Sequence, residues 1–215
     1  MTASKPTPKV RDAERSKELI LESAANLFAA HGFDATTMQQ IAEAAGLARG
    51  TPSYFFSSKE NLFQAVLERE NEVFTHVVPE ALQRAGEALR EVLVETLVDI
   101  YLDAIIAQPR FFRLLQWTAL QHPELISSVQ LHHKNFELAE QAVATVTQDE
   151  LTKDEQQQWV LSIVGICTFH AFFAPMFQGW LKSSANEKRF LESRRAHIKT
   201  LLHSAMLVSL PKDSR

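Results

Sequence analysis

Apolar side chains recur along this chain at helical spacing, and no run alternates strictly enough to read as a strand. Over residues 15–31, Ile20, Ala24, Leu27, Phe28 and His31 fall on one helical face, and Gly32 supplies the stop. Thr36, Thr37 and Gln40 announce a second helix, because a Thr three residues ahead of a Gln can form a capping box. Met38, Ile41, Ala42 and Ala45 give it an apolar face, and Ala45-Gly46-Leu47 reads as a tight turn needing a positive φ at glycine. After Ala48 to Phe56, Ser57 and Glu60 repeat the capping-box spacing and start another helix. Three helices within about fifty residues, the second and third joined by a short glycine turn, are the layout of a helix-turn-helix. The candidate core is Leu19, Leu27, Phe28, Phe33, Ile41, Ala45, Leu47, Phe55, Phe56 and Leu62.

Beyond residue 60 the prolines punctuate long helical patterns, with Pro79, Pro109 and Pro123 near starts and Pro175 near an end or kink. The spacing predicts helices at roughly 58–78, 80–107, 110–121, 124–147, 153–174 and 187–208. The fold class is all-α with about nine helices. Its expected divisions are a flexible basic arm over 1–14, a helix-turn-helix domain over 15–60, and a helical ligand-binding and dimerisation domain over 61–215.

Composition agrees: 46% hydrophobic and 22% charged residues exclude a disordered chain, and six Gly with eight Pro are too few turn formers for a β-sandwich or barrel. Net charge is informative only by position. Residues 1–60 balance seven basic against seven acidic side chains, so the surplus of acid lies beyond them. Within residues 1–17, Lys5, Lys9, Arg11, Arg15 and Lys17 outnumber Asp12 and Glu14, a local excess of positive charge. The N-terminus has no apolar run of a secretory signal, and the single Cys167 cannot form an internal disulfide, so the expected location is cytoplasmic. Gln156 to Leu181 holds no Asp, Glu, Lys or Arg, yet its amides, His170 and Pro175 suit a buried bundle helix better than a membrane span.

Residues 15–67 resemble the DNA-binding domain of the TetR family of transcriptional regulators. The segments that carry the resemblance are Ile20-Leu21-Glu22-Ser23-Ala24-Ala25-Asn26-Leu27-Phe28, Gly32-Phe33-Asp34-Ala35-Thr36-Thr37, Ile41-Ala42-Glu43-Ala44-Ala45-Gly46-Leu47, Arg49-Gly50-Thr51 and Phe56-Ser57-Ser58-Lys59-Glu60. The match covers about a quarter of the chain; the remainder agrees in length and helical character only. By this resemblance Arg49, Gly50 and Thr51 open the helix that meets the major groove. Arg49 is a candidate for paired bonds to guanine or for a phosphate, and Gly50 lets backbone approach DNA closely. Thr37 caps its helix and is placed to hold a phosphate, Tyr54 to reach one through its hydroxyl, and Lys59 to neutralise another. Two residues depart from the family pattern. Pro52 and Ser53 stand where Leu or Ile and then Tyr are usual, so Ser53 offers a short hydroxyl in place of a phenol. Either the helix begins at Ala48 with an irregular first turn, as the resemblance favours, or Thr51 caps a short helix from Pro52. Lys5, Lys9 and Arg11 are placed either to lie along DNA or to be a solvated tail.

The family's regulators are homodimers joined by their last two helices, with middle helices enclosing an effector pocket. Here Trp159, Ile163, Ile166, His170 and Phe173 line one helix, and Leu191, Ile198, Leu202, Ala205 and Val208 another, so Trp159, Ile163, Ile166, Ile198, Leu202 and Ala205 are the candidate dimer contacts. The aromatic set Phe111, Phe112, Trp117, Phe169, Phe172, Phe173 and Phe177, with His170, Gln116 and Thr168, suits either ordinary core or an apolar or aromatic ligand; Phe111, Trp117, Phe169, His170, Phe173 and Phe177 are the ligand candidates. Cys167 and His170, three apart, make two ligands and no metal site. No phosphate-binding glycine loop, Gly-x-Ser-x-Gly or His-Glu-x-x-His occurs, and neither an enzyme nor a cofactor is expected. The expected function is a ligand-responsive repressor with a palindromic double-stranded DNA operator, a small-molecule effector, a second copy as partner and no membrane. Its rivals are a helix-turn-helix used only for protein contacts and a helical small-molecule carrier.

Overall fold

The computed structural model describes residues 8–86, 89–127, 133–148, 150–177, 179–180 and 188–209. The described residues are helical with no strand: α1 (Pro8–His31), α2 (Met38–Ala44), α3 (Thr51–Phe56), α4 (Lys59–Thr75), α5 (Val77–Ala85), α6 (Leu89–Ala107), α7 (Pro109–Gln121), α8 (Pro123–Ser127), α9 (His133–Thr147), α10 (Lys153–Phe173) and α11 (Lys188–Ser209), with a 3-10 turn at Ala174–Phe177. The first helix starts seven residues before its expected position, so residues 8–14 of the expected arm are helical. Proline at a first helical position is pre-set for helix, and no Gly or Pro follows it before Gly32. Lys5 lies outside the described residues. The helix expected over 80–107 is divided at Gly86, whose φ of 53° ends α5. That expected over 124–147 appears as α8 and α9.

The chain divides into two compact units, Met1–Asn71 with Arg110–Val129, and Glu72–Pro109 with Gln130–Arg215. This differs from a boundary at residue 60, because α7 and α8 belong with the helix-turn-helix. The first unit is built on Phe28, Phe33 and Phe63, with ring centroids 5.0–5.8 Å apart. Ile20, Ala24, Ile41, Phe56, Leu62, Val66, Leu67 and Leu114 close this core. Leu19, expected inside, is instead exposed, and Leu27, Ala45, Leu47 and Phe55 are half-buried.

α7 holds its place in the first unit by charge as well as packing. Arg110 Nη1 donates to Glu22 Oε1 on α1 at 2.5 Å and to Asn26 Oδ1 at 2.8 Å. Its Nε and Nη2 reach the two carboxylate oxygens of Glu70 on α4 at 3.0 and 2.6 Å. Arg69 adds pairs to Glu18 and Glu22. The Trp117 ring lies against Gly32, where a Cβ would stand 3.3 Å from the ring and where φ is +81°.

In the second unit α6 is the hub, packed by α5, α9, α10 and α11. Leu93, Val98, Leu102, Ile105, Val143, Val160, Cys167, Ile198 and Leu202 are buried there. Asp99 of α6 accepts from Arg195 and Lys199 of α11, and Arg195 also pairs with Asp103.

Candidate nucleic-acid interface

Thr37 is the N-cap of α2, and the capping box expected from Thr37 and Gln40 is formed. The Thr37 hydroxyl accepts from the Gln40 N–H, and the Gln40 side-chain oxygen accepts from the Thr37 N–H at 2.8 Å. Gly46 has φ +68°, as its turn requires. α3 begins at Thr51, with Gly50 as its cap and Pro52 in its first turn. This overturns both the start at Ala48 and Thr51 as the cap. A separate turn precedes the helix, closed by the Thr51 N–H on the Ala48 carbonyl at 2.9 Å. Pro52 has no N–H with which to extend the ladder back to Ala48, so regular helix begins after that turn.

Pro52 and Phe56 are buried and pin one side of α3, while Arg49, Gly50, Ser53 and Tyr54 are turned to solvent. Tyr54 is 83% exposed, its ring edge-on to Phe55, and Thr51 is half-buried. Gln39, which the motif reading passed over, extends this exposed region on α2 and donates to Glu43 at 2.8 Å. Helical spacing alone places them one turn apart.

Lys59 departs from its expected role. Its ammonium donates to the carbonyls of Phe33 and Thr36 at 3.0 and 3.1 Å and lies 4.2 Å from the centre of the Phe33 ring. The cation is used inside the unit to tie α4 to the α1–α2 loop rather than to meet a phosphate. The cap of α4 also moves by one residue. Ser58 Oγ accepts from the Asn61 N–H, while Ser57 takes φ 61° and ends α3.

The candidate residues of the second half separate. Phe111 is buried and Trp117 partly exposed in the first unit, whereas Phe169, His170, Phe173 and Phe177 lie in the second. Phe169 and Phe173 are 47% and 43% exposed, so they do not line an interior. They continue Leu161 and Gly165 along the outer face of α10 at intervals of four residues, and Phe169 packs on Phe173 and Phe177. His170 is buried, with Nδ1 lacking a partner, and burial first, then the nearby Arg194 charge, lowers its pKa. Beside it Cys167 is fully buried, and desolvation raises its thiol pKa to about 12. Burial raises the pKa of the Tyr101 hydroxyl too. Of the candidate dimer contacts, Ile198 and Leu202 are buried within one copy of the chain, where α11 packs on α6. Trp159, Ile163 and Ile166 are half-buried and Ala205 is exposed. The exposed face of α10 is therefore the one bearing Leu161 and Phe169. Among the described residues no group of His, Cys, Asp and Glu could hold a metal ion, and no helix is long and apolar enough to cross a membrane.

A short exposed helix anchored by its apolar side, reached through a capped helix and a glycine turn, defines the first unit as a helix-turn-helix DNA-binding domain. The family model described as bacterial regulatory proteins, tetR family, matches residues 20–66. Among curated proteins, the uncharacterized HTH-type transcriptional regulator YhgD of Bacillus subtilis (strain 168) is 41% identical over 73 residues, covering 34% of this chain and 35% of YhgD. The chain thus spans about a third of that relative's length. The uncharacterized HTH-type transcriptional regulator YfiR of the same organism is 24% identical over 217 residues, covering 92% of this chain and 98% of YfiR. Among solved structures, the fatty acid degradation regulator FadR from Bacillus halodurans superposes with a TM-score of 0.65 at 17% identity, covering 91% of this chain and 96% of that one. The family match therefore covers the helix-turn-helix of the first unit, residues 20–66, while over most of the chain the similarity is to the regulator YfiR at 24% identity.

Proposed function

We propose that this chain is a cytoplasmic repressor that binds a palindromic double-stranded operator as a homodimer and is released by a small effector of mainly apolar or aromatic character. The observation that carries the DNA contact is α3 itself: Pro52 and Phe56 fix its inner side, and Arg49, Ser53 and Tyr54 stand on its free side. Arg49 is the one long cation among them. It reads guanine or grips a phosphate, Gly50 and Thr51 bring backbone close, Tyr54 and Ser53 reach phosphate oxygens, and Thr37 adds the α2 cap. Two copies joined along the outer face of α10 present two such helices to successive major grooves, which requires a near-palindromic site. For the effector, the buried His170 is the interior polar contact retained from the candidate set. An effector acts by binding more tightly to a conformation in which the two readers are spaced wrongly.

The experiment is a mobility shift on a duplex selected by the protein from a random pool. Arg49→Ala abolishes the shift while the molecule keeps its assembly state and fold, and the wild-type affinity falls steeply as salt is added. An unchanged affinity in Arg49→Ala rejects the site. Binding that lacks sequence preference and salt dependence favours a protein-contact module instead.

A further inference from the structure

His122, between α7 and α8, meets a carboxylate with each ring nitrogen. Nε2 lies 3.0 Å from Asp34 Oδ1 in the α1–α2 loop, and Nδ1 lies 3.0 Å from Glu124 Oε1 in α8. A neutral imidazole carries one N–H and donates once, so the two contacts are both hydrogen bonds only when the ring is imidazolium. The ring stands edge-on to Phe33, with centroids 5.2 Å apart, and the same Phe33 carries the Lys59 ammonium on its ring. The loop held this way is short. Phe33 and Thr36 give their carbonyls to Lys59, Thr36 donates its hydroxyl to Gly32, and the next residue, Thr37, caps α2. Asp34 has a side chain 70% exposed, and His122 is the group that fixes it.

We propose that His122 is a proton-operated latch: charged, it holds the α1–α2 loop through Asp34; neutral, it frees the loop and loosens the presentation of α2 and α3 to duplex DNA. The consequence for DNA rests on the reading above, but the latch itself does not. The charged groups around it are Glu124 from α8, Asp34 from the loop and Lys59 from α4, the last engaged by backbone carbonyls. Hydrogen bonds donated to Glu124 and then to Asp34 raise the His122 pKa above its ordinary 6.5. A raised histidine pKa means that the latch is fully closed below the unfolded value and opens as pH rises through the folded one. Operator affinity therefore falls as pH rises through the folded-state His122 pKa.

The test uses the full chain and a duplex selected from a random pool by the wild-type protein at about pH 6. NMR titration of the imidazole is expected to place the His122 pKa above the ordinary value and Asp34→Ala to bring it down. Wild-type affinity falls by about fivefold or more between the closed and open states, and His122→Gln flattens that dependence. Asp34→Ala separates a latch from a bulk charge effect. Removing an anion strengthens binding to DNA if net charge governs, whereas losing the latch weakens binding below the transition. An ordinary His122 pKa, an unflattened profile in His122→Gln, or a tighter Asp34→Ala complex overturns the proposal. If no duplex is bound at any pH, DNA binding itself is refuted, and amide protection over residues 33–37, taken relative to the intrinsic exchange rate at each pH, decides the latch: lower protection above the transition supports it, and unchanged protection overturns it.

Discussion

Replacing Arg110 with Met keeps the aliphatic stem and deletes five donors, of which three atoms are engaged by Glu22, Asn26 and Glu70. The carboxylates it leaves behind are unequal. Glu70 is only 4% exposed and loses both its bonds to Arg110, whereas Glu22 is nearly half exposed and keeps Arg69. Removing one partner of a fully buried ion pair costs about 3–5 kcal/mol, and an exposed pair contributes about 0–1 kcal/mol. Arg110 is itself a quarter exposed, so water can enter the vacated place, and we expect the loss to be about 2–3 kcal/mol, dominated by Glu70. Arg69→Met, whose pairs are with the more exposed Glu18 and Glu22, costs under about 1 kcal/mol. Two compact units make a single global transition an unsafe assumption, so the probe must be local. Trp117 is the one tryptophan of the first unit, and its fluorescence in a Trp159→Phe, Trp180→Phe background reports urea unfolding of that unit. Acid supplies a second arm. Arg110 first, then Arg69, holds the Glu22 pKa down to about 2, and a depressed carboxylate stabilises above its unfolded value of 4.5 and loses that contribution as pH falls. The wild type therefore weakens between those limits, and Arg110→Met weakens less steeply. A midpoint for Arg110→Met that matches Arg69→Met would refute the assignment of the cost to buried Glu70.

Gly32→Ala combines a φ of +81° with a Cβ 3.3 Å from Trp117, so it destabilises the first unit by about 1 kcal/mol or more and shifts Trp117 emission. An unchanged midpoint and spectrum would contradict that close approach. Thr37→Ala removes the α2 cap and costs about 1 kcal/mol, read by the same fluorescence, and faster amide exchange at Gln40 marks the donor that it uncovers. An unprotected Gln40 N–H in the wild type would deny the cap.

The sequence was most readable where one chemical event is local. Thr37 with Gln40 three residues on, and Gly46 at a required positive φ, are complete within a few residues, and both appear as expected. Contacts across many residues leave no such pattern. Nothing around Arg110 indicates that Glu22 and Glu70 await it, and Lys59 reads as a surface cation until the Phe33 and Thr36 carbonyls are brought to it. The motif gave the exposed set Arg49, Ser53 and Tyr54, whereas the start of α3 depended on how Pro52 is accommodated, which two competing turns left open.

α10 presents the sharpest case, because apolar residues surround it and periodicity alone cannot choose the face that meets α6. The structure turns Val160 and Cys167 inward and leaves Leu161, Gly165, Phe169 and Phe173 on the outer side. An apolar stripe of that length on a capped helix gains more by covering itself than by facing water, since each large side chain buried contributes about 1.5–3 kcal/mol. In the proposed dimer a second copy lays the same stripe against it, and the small Gly165 lets the helices approach. Phe169→Asp places a charge at the centre of that contact in both copies. We expect a dimer-to-monomer shift in sedimentation at micromolar concentration, with helical content retained because the side chain is open to solvent in one copy. Ile163→Asp, on the half-buried side, instead lowers thermal stability before it changes assembly. If Phe169→Asp sediments as the wild type does, the partner surface is not this face of α10.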